Sequence, residues 1–506
     1  MTQATHILER SSGRARLSPE LVAGIAVLAV ATAVFCFEIR AIAPVNGWWY
    51  DELFSIWASD PALGFEDVFV HRILHDTNPP LYYTALFWSR RLIPDARAAA
   101  TFLNVFAITA ALSATTIASR RTGLLGWALA TGGMFLLSGP VLRYTLEARA
   151  YLMALAVAYT AAWFCALAIE ETNRRPRSVS FGVIGVIAAS VHVFAALICG
   201  CLGAGLLGAF LIGKRKELLM PAIALVLSAS VVAALWLPIA LTSVDRVRWT
   251  QLSFQAVFDA YREVRTLALG SRPGTALIFI LFGIGLALPS TRRLTALFSL
   301  AFALFFLLPI LASFKKPVIG GRYWMIGAPC VLVFAAFLTR ALFHLRFPFW
   351  IGALTGLGFL AIASFDGFAA AYGEIDAKEK WSGATLVGPL LQHCAPGSVH
   401  VYTSWSFTSG FAFLTHAPED LFVAVDPTEN AQTRTGASAC PVLGWAEHVV
   451  WQGTRRLPAD FVLAASDDEL LRLLSIQASP AEVEIYRHKE GFVVLRRGTT
   501  RSDTSQ

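Results

Sequence analysis

Residues 179–213 read VSFGVIGVIAASVHVFAALICGCLGAGLLGAFLIG, a stretch without a single Asp, Glu, Lys or Arg. A bilayer core holds about 20 helical residues per crossing. The stretch is therefore two crossings, near 179–195 and 197–213, with a short turn just after His192. The rest of the chain repeats the pattern. Further apolar runs lie at Pro19–Ile39 and near 97–119, 122–142, 148–169, 219–241, 274–289, 294–313, 323–342 and 348–371. Of 506 residues 56% are hydrophobic, 15% are charged, and mean hydropathy is +0.59. Soluble domains carry about 25% charged residues. The balance excludes a soluble enzyme, a fibrous protein and a disordered chain.

Lys and Arg in short loops are retained in the cytoplasm. Arg120-Arg121, Arg174-Arg175-Arg177, Lys214-Arg215-Lys216, Arg292-Arg293 and Arg340 with Arg346 mark the inner loops. Residues 40–96, 143–147, the turn after His192, 242–273, 314–322 and everything beyond 371 are then outside. Eleven crossings result, with an inner N-terminus over 1–18, a membrane domain over 19–371 and an outer tail over 372–506. The first helix follows Arg10, Arg14 and Arg16 and lacks a small-residue cleavage site, as expected of a retained helix. Pro79–Leu92 is too short to cross, ends in Arg90-Arg91, and is expected to lie at the outer interface.

The tail holds 11 Lys and Arg against 16 Asp and Glu, while the whole chain carries +7, so the basic surplus belongs to the membrane part. Its hydrophobic runs are short: Val399–Tyr402, Leu421–Val425, His448–Trp451, Phe461–Ala464, Val483–Tyr486 and Phe492–Leu495. With helices over Ser382–His393 and Asp467–Ser475 they predict a small α/β domain. Cys36, Cys165, Cys199, Cys201 and Cys330 lie in apolar runs and read as packing residues. Cys394 and Cys440 fall in the tail, where an oxidising compartment would let them pair. No basic patch interleaved with aromatics points to nucleic acid. The sequence has no glycine-rich nucleotide loop and no energy-coupling domain, which argues against a primary pump.

Ionisable residues collect in the outer loops. The first loop carries Trp48-Trp49-Tyr50-Asp51-Glu52, then Arg72, His75-Asp76, Asn78-Pro79-Pro80 and Tyr82-Tyr83. A carboxylate beside an aromatic belt sits at the low-dielectric boundary, where it acts as a base towards a hydroxyl or amine or holds a cation. A solvated loop with interface aromatics accounts for the same residues equally well. Arg143, Glu147 and Arg149 stand between two apolar runs, and helical spacing predicts Arg143 and Glu147 as an i,i+4 pair. A structural ion pair with a snorkelling arginine competes with a functional role. His192 is either a packing histidine or a ligand group.

The 242–273 loop, with Asp259, Arg262, Glu263 and Arg265, reads as a mixed-charge interfacial helix. Lys315-Lys316-Pro317-Val318-Ile319-Gly320-Gly321-Arg322-Tyr323 places three cations on the outer side, against the positive-inside bias. A phosphate counter-anion explains that, with Gly320-Gly321 admitting close backbone approach and Arg322 offering a forked donor. Generic attraction to anionic lipid is the alternative. Carboxylates at one end of a cavity and cations at the other suit transfer of a sugar from a polyprenyl phosphate. The phosphate departs as the nucleophile loses a proton.

These residues resemble the integral-membrane glycosyltransferases of the GT-C superfamily, family 39 type. That group contains the protein O-mannosyltransferases and the lipid A aminoarabinose transferases. The likeness is carried by Asp51-Glu52 after the first helix and by Asp76-Thr77-Asn78-Pro79-Pro80-Leu81-Tyr82-Tyr83. Tyr144–Tyr151, with its Glu-Ala-Arg-x-Tyr pattern, and Gly321-Arg322-Tyr323 complete it. The resemblance implies a polytopic α-helical GT-C fold, a polyprenyl-phosphate sugar donor, an envelope acceptor (lipid, glycan or protein) and inversion at the anomeric carbon. It assigns the base to Asp51, support of base or acceptor to Asp76, and phosphate binding to Arg322 with Lys315 or Lys316. Glu52, His75, Tyr82, Arg143, Glu147, Arg149, His192 and Tyr323 complete the expected substrate-binding set. Metal dependence varies across that superfamily, so no metal ligand is assigned and a divalent cation stays open. A secondary transporter or lipid flippase is the competing class. It would predict broken helices with charges near the bilayer midplane and inverted repeats. An inactive scaffold whose tail recruits partners is a third reading.

Overall fold

Ser18 starts the first helix. Its hydroxyl accepts from the Leu21 N–H at 3.2 Å, with Pro19 and Glu20 in the first turn. This is the chemistry a helix start favours, where amides lack partners and the dipole is positive. The helix that follows, α1 (Pro19–Ile42), has 24 residues and is about 36 Å long, enough to cross a bilayer. The computed structural model describes residues 18–43, 46, 50–76, 78–171, 178–244, 253–269, 280, 282–314, 318–343, 368–373 and 375. It also describes the tail segments 401–403, 422–424, 461–464, 483–487 and 493–497.

After α1 come α2 (Tyr50–Trp57), α3 (Phe65–His71), α4 (Leu81–Leu92), α5 (Ala96–Ser119), α6 (Leu125–Leu136) and α7 (Gly139–Thr145). Then follow α8 (Tyr151–Glu170), α9 (Ser178–Val191), α10 (Val193–Gly213), α11 (Leu219–Val244) and α12 (Phe254–Leu269). The last helices are α13 (Arg292–Ser313), α14 (Gly321–Trp324) and α15 (Ala328–Phe343). Among the described residues seven stretches are long and apolar enough to cross a membrane: α1, α5, α8, α10, residues 216–236, α13, and residues 321–343. Their outward faces are apolar too. Phe37, Leu211, Ile212 and Leu235 are each at least 67% exposed, a surface suited to lipid. This is a multi-pass membrane protein.

Two details differ from a set of straight crossings. The expected run at 122–142 is a pair, α6 and α7, bent by 60°. Ser138 is extended at the joint and Pro140 lies in the first turn of α7. A proline ring cannot continue the α6 ladder, so the chain begins a new helix there. The crossing expected at 179–195 is the 14-residue α9, ending one residue before His192. The expected crossing at 274–289 is described only at 280 and 282–289, where 282–287 are helical, and that at 348–371 lies mostly outside the described residues, where 368–371 are helical. The interfacial piece is α4, whose 12 residues reach only about 18 Å.

The centre of the bundle is α8, buried along nearly its whole length and packed by α5, α9, α10 and α15. Elsewhere small residues let backbones meet, as membrane helices do when dispersion must hold them together. A Cβ at Gly24 would lie 2.2 Å from the Gly126 carbonyl oxygen, so α1 and α6 touch main chain to main chain. Cys165, Cys199, Cys201 and Cys330 are buried, and Cys36 is exposed. Cys394 and Cys440 lie outside the described residues.

The two ends of the bundle differ in chemistry. Arg149 precedes α8, His192 caps α10, and Arg322 opens the 321–343 stretch. At the far ends of those helices, Arg340 pairs with Glu170 at 2.8 Å. Arg215 donates to the carbonyls of Ile169 at 2.7 Å and Glu171 at 3.0 Å, and Arg293 lies beside Gly213. The basic loops thus gather at one end and the candidate site at the other.

In the tail five of the short hydrophobic runs are strands: β1 (Val401–Thr403), β2 (Phe422–Ala424), β3 (Phe461–Ala464), β4 (Val483–Arg487) and β5 (Val493–Arg497). They form one sheet of order β2-β1-β3-β5-β4, parallel at β1–β2 and β1–β3, antiparallel at β3–β5 and β4–β5. The run His448–Trp451 and the two expected tail helices lie outside the described residues.

Candidate active site

Asp51 and Glu52 occupy the first turn of α2, where a helix dipole favours carboxylates. Asp51 Oδ2 accepts from Arg322 at 2.7 Å and lies 3.9 Å from Arg149. Arg149 also donates to the Asp51 carbonyl at 3.2 Å, to Ser55 Oγ at 3.3 Å and to Tyr83 Oη at 2.9 Å. Tyr83 in turn donates to Asp76 Oδ2, which accepts a second bond from Asn78 at 3.2 Å. Burial holds the Tyr83 phenol well above its ordinary pKa, so it keeps the proton it donates. Burial pulls on Arg149 in the opposite sense, but Tyr83, Asp51, Tyr151 and Asp76 outweigh it, and the guanidinium stays charged. Among the three charged side chains Arg322 is the most accessible, 31% exposed against 14% for Asp51 and 9% for Arg149.

The segment carrying Glu147 and Arg149 is set in place from α5. Asn104, fully buried, donates to the carbonyls of Tyr144 at 3.2 Å, Thr145 at 3.1 Å and Glu147 at 2.8 Å. These bonds add to the turn's own, from the Glu147 N–H to the Tyr144 carbonyl at 3.2 Å and from the Arg149 N–H to the Glu147 carbonyl at 2.8 Å, and tie the turn to α5. Asn46 donates to the Leu146 carbonyl at 3.2 Å and is itself held by Arg97. Glu52, with no exposed surface, accepts from the Ala148 N–H at 3.0 Å. The expectation that Arg143 and Glu147 share one helical face is corrected by this geometry, although Glu147 still acts on the Arg143 charge. The helix stops at Thr145, and Glu147 lies in the turn beyond it, because Asn104 satisfies its last carbonyls from the side. Tyr82 is buried beside Tyr83 with the rings edge to face, 5.9 Å between centroids.

The opposite wall is α14. Tyr323 stacks on Phe194 at 4.9 Å and approaches His192 at 5.9 Å and Tyr151 at 6.4 Å. The Arg322 guanidinium lies 5.2 Å from the Tyr323 ring centroid. Gly321 has no room for a side chain: its Cβ would stand 2.1 Å from Glu263 Oε2. Glu263 projects from α12, and burial raises its pKa against the pull of Arg143 and Arg322. Arg143 lies at the end of α7 within the fields of Glu147 and Glu263. The mixed-charge helix therefore contributes a carboxylate to the site rather than serving only as a solvated face. His75 closes a 3₁₀ turn (Ile73–His75), with its side chain outside the described set. Lys315 and Lys316 are outside it altogether.

Asp51, Glu52, Asp76, Tyr82, Arg143, Glu147, Arg149, His192, Arg322 and Tyr323 are thus brought to one end of the bundle. Ser55 and Asn104, which nothing in the sequence marked, join them, as do Tyr83, Tyr151 and Glu263, which the sequence placed in motifs or a mixed-charge helix without assigning them to the site. Among the described residues no three His, Cys, Asp or Glu side chains gather as metal ligands. The arrangement places a shielded carboxylate beside two guanidiniums, one of them reachable from outside. It can take a proton and hold an anion within a few ångströms.

No family model and no curated protein matches the chain by sequence. In three dimensions it has the GT-C fold, the architecture of integral-membrane glycosyltransferases. ArnT from Cupriavidus metallidurans bound to undecaprenyl phosphate superposes with a TM-score of 0.60 at 12% identity, covering 94% of this chain and 98% of that one. The apo state of the same protein gives 0.56 at 13% identity, covering 92% and 98%. The apo oligosaccharyltransferase of Archaeoglobus fulgidus gives 0.48 at 11% identity, covering 94% and 75%.

Proposed function

We propose that this chain is an inverting glycosyltransferase that moves a sugar from a polyprenyl-phosphate donor to an envelope acceptor on the periplasmic side of a bacterial inner membrane. The observation that carries the proposal is Asp51 held between Arg322 and Arg149 at the outer end of a GT-C bundle. A fold shared with a protein seen bound to undecaprenyl phosphate supports the donor class.

In the proposed reaction an acceptor O–H or N–H gives its proton to Asp51 as its lone pair attacks the anomeric carbon. The bond from that carbon to the phosphate oxygen breaks from the opposite face, and its electrons leave with the polyprenyl phosphate. Arg322, and behind it Arg149, stabilise the growing phosphate charge, the class of interaction that contributes most in such sites. Without substrate Arg322 is paired with Asp51, which makes the carboxylate a poor base. An arriving phosphate draws Arg322 away and leaves Asp51 more basic, so donor binding and base activation are linked. Tyr83 and Asp76 hold Arg149 in position throughout. On this reading the N-terminus is cytoplasmic and the tail periplasmic, as the positive-inside bias of the loops supports.

The test uses purified protein in lipid nanodiscs with a panel of polyprenyl-phosphate sugars and an envelope extract. Release of free polyprenyl phosphate is followed by mass spectrometry. Consumption of one donor, lost in Arg322→Gln, is the expected result. Binding of polyprenyl phosphate without consumption of any donor would favour a flippase or scaffold and overturn the proposal.

A further inference from the structure

Among the described residues, several buried polar atoms at the site lack a hydrogen-bond partner, Tyr82 Oη, Asn104 Oδ1 and His192 Nε2 among them, and the last lies nearest the two guanidinium-bearing rings. His192 interrupts the charge-free stretch and caps α10. Its backbone is extended (φ −161°, ψ 137°), and its Nδ1 accepts the Phe194 N–H at 3.1 Å. A main-chain N–H can only donate, so Nδ1 carries no proton and the ring is the neutral tautomer with its hydrogen on Nε2. That nitrogen lies on the far edge of the ring, facing away from α10. His192 is 2% exposed, and Nε2 has no hydrogen-bond partner among the described residues. A buried donor without a partner is destabilising, which a capping role alone does not require, since the cap uses the other nitrogen.

The surroundings identify what would satisfy it. The ring lies 5.5 Å from Tyr151 and 5.9 Å from Tyr323, measured between centroids. Over those two rings stand the guanidiniums of Arg149, at 5.9 Å, and Arg322, at 5.2 Å. Arg149 and Arg322 are also the charged groups that act on the imidazole. The positive end of the 21-residue α10 begins at the same point. Two cations that share one carboxylate, Asp51, lie over the rings beside His192, and the α10 N-terminus begins at that residue. That is an environment for an anion with several acceptor oxygens.

We infer that His192 is a phosphate-binding residue, its Nε2–H donating to a phosphate oxygen of the polyprenyl-phosphate substrate and of the polyprenyl-phosphate product. The inference rests on the proposed donor class and adds a residue and a protonation state to it. The imidazole stays neutral and moves no proton. It supplies a neutral donor beside two cations, so the leaving phosphate meets three groups from three different elements: the turn before α8, the cap of α10, and α14.

The experiment measures binding of undecaprenyl phosphate, with undecaprenol and phosphatidylglycerol as comparison lipids, to protein in phosphatidylcholine nanodiscs. His192→Asn keeps a side-chain oxygen that caps α10 but has no group reaching the Nε2 position. His192→Gln carries an N–H donor on a longer side chain. The expected result is a loss of about tenfold in affinity for undecaprenyl phosphate in the Asn variant, as for a hydrogen bond to a charged group. Most of it should be recovered in the Gln variant, with no change for undecaprenol. Thermal melting of each variant confirms that the fold persists. Wild-type affinity in His192→Asn, alongside lost affinity in Arg322→Gln, would show that His192 only caps its helix and would overturn the inference while sparing the donor class. An equal loss towards phosphatidylglycerol would make this a general headgroup site and would also overturn it. No binding of undecaprenyl phosphate by wild type would instead overturn the proposed function.

Discussion

Gly321→Ala adds one methyl group and should disable the site. The new Cβ would lie 2.1 Å from Glu263 Oε2, 2.5 Å from Cδ and 2.6 Å from Cβ. Carbon atoms pack at about 3.5–4.0 Å, so rotating the carboxylate relieves only part of the overlap. The clash with Glu263 Cβ persists in every rotamer, and either α12 or α14 must move by about 1 Å. Overpacking of this kind costs about 1–3 kcal/mol in stability. The effect on turnover is larger, because α14 carries Arg322, and a displacement of about 1 Å from the working geometry lowers rates by about a hundredfold. The assay is donor consumption in nanodiscs together with a thermal melt. Glu263→Ala should restore little, since it keeps Cβ. Glu263→Gly should restore more, less the roughly 1 kcal/mol that glycine costs inside a helix. A Gly321→Ala protein that melts and turns over like wild type would refute the packing of α12 on α14 and the role given to Arg322.

Other consequences follow from the same geometry. Gly24→Ala forces a Cβ to 2.2 Å from the Gly126 carbonyl oxygen. It should lower the melting temperature by the equivalent of about 1–3 kcal/mol, and an unchanged melt would place the α1–α6 contact elsewhere. Tyr83→Phe removes the hydroxyl between Arg149 and Asp76. Leaving buried polar groups unpaired costs about 1–3 kcal/mol, and the transfer rate should fall about tenfold while the lipid still binds. A wild-type rate would deny Tyr83 its positioning role. Glu263 has a raised pKa in the folded protein, so the folded state holds that proton more tightly than the unfolded one. The stability it contributes is full below the ordinary glutamate range and fades as pH rises through the raised value. Glu263→Gln should flatten the melting temperature against pH over that window, and an unaltered slope would contradict the burial of that carboxylate.

Much of the bundle was legible because the bilayer imposes a simple rule on sequence. A stretch broken only by His192 had to turn there, and the structure caps a new helix with that residue. Loops with Lys and Arg clusters had to alternate with the outer loops, and Arg215, Arg293 and Arg340 do gather opposite Asp51. What periodicity could not reveal was where another element interrupts a pattern. Arg143 and Glu147 have helical spacing, but Asn104, some 40 residues earlier, satisfies the carbonyls that a continuing helix would have used. The 122–142 run looked uniform in hydropathy, and only Ser138-Gly139-Pro140 carried the signal of a bend. Glu263 was hidden by its exposed neighbours Asp259 and Arg262, which make the helix read as solvated until Gly321 is seen to receive it. Tyr82 and Tyr83 are adjacent, and which of them meets Arg149 depends on the rotation of α4. Asp51 and Arg322 were each identified alone, and their pairing across 271 positions is a product of the fold.

The central claim is that Asp51 accepts the proton of the acceptor while arginines hold the phosphate. It is tested most directly by comparing wild type with Asp51→Asn in nanodiscs, measuring donor turnover and undecaprenyl-phosphate affinity on the same preparation. Asparagine keeps the shape and releases Arg322 from its ion pair. The account predicts turnover reduced by about a hundredfold or more, the range of general acid–base catalysis, with affinity for the lipid undiminished. Wild-type turnover in a folded Asp51→Asn protein would contradict it.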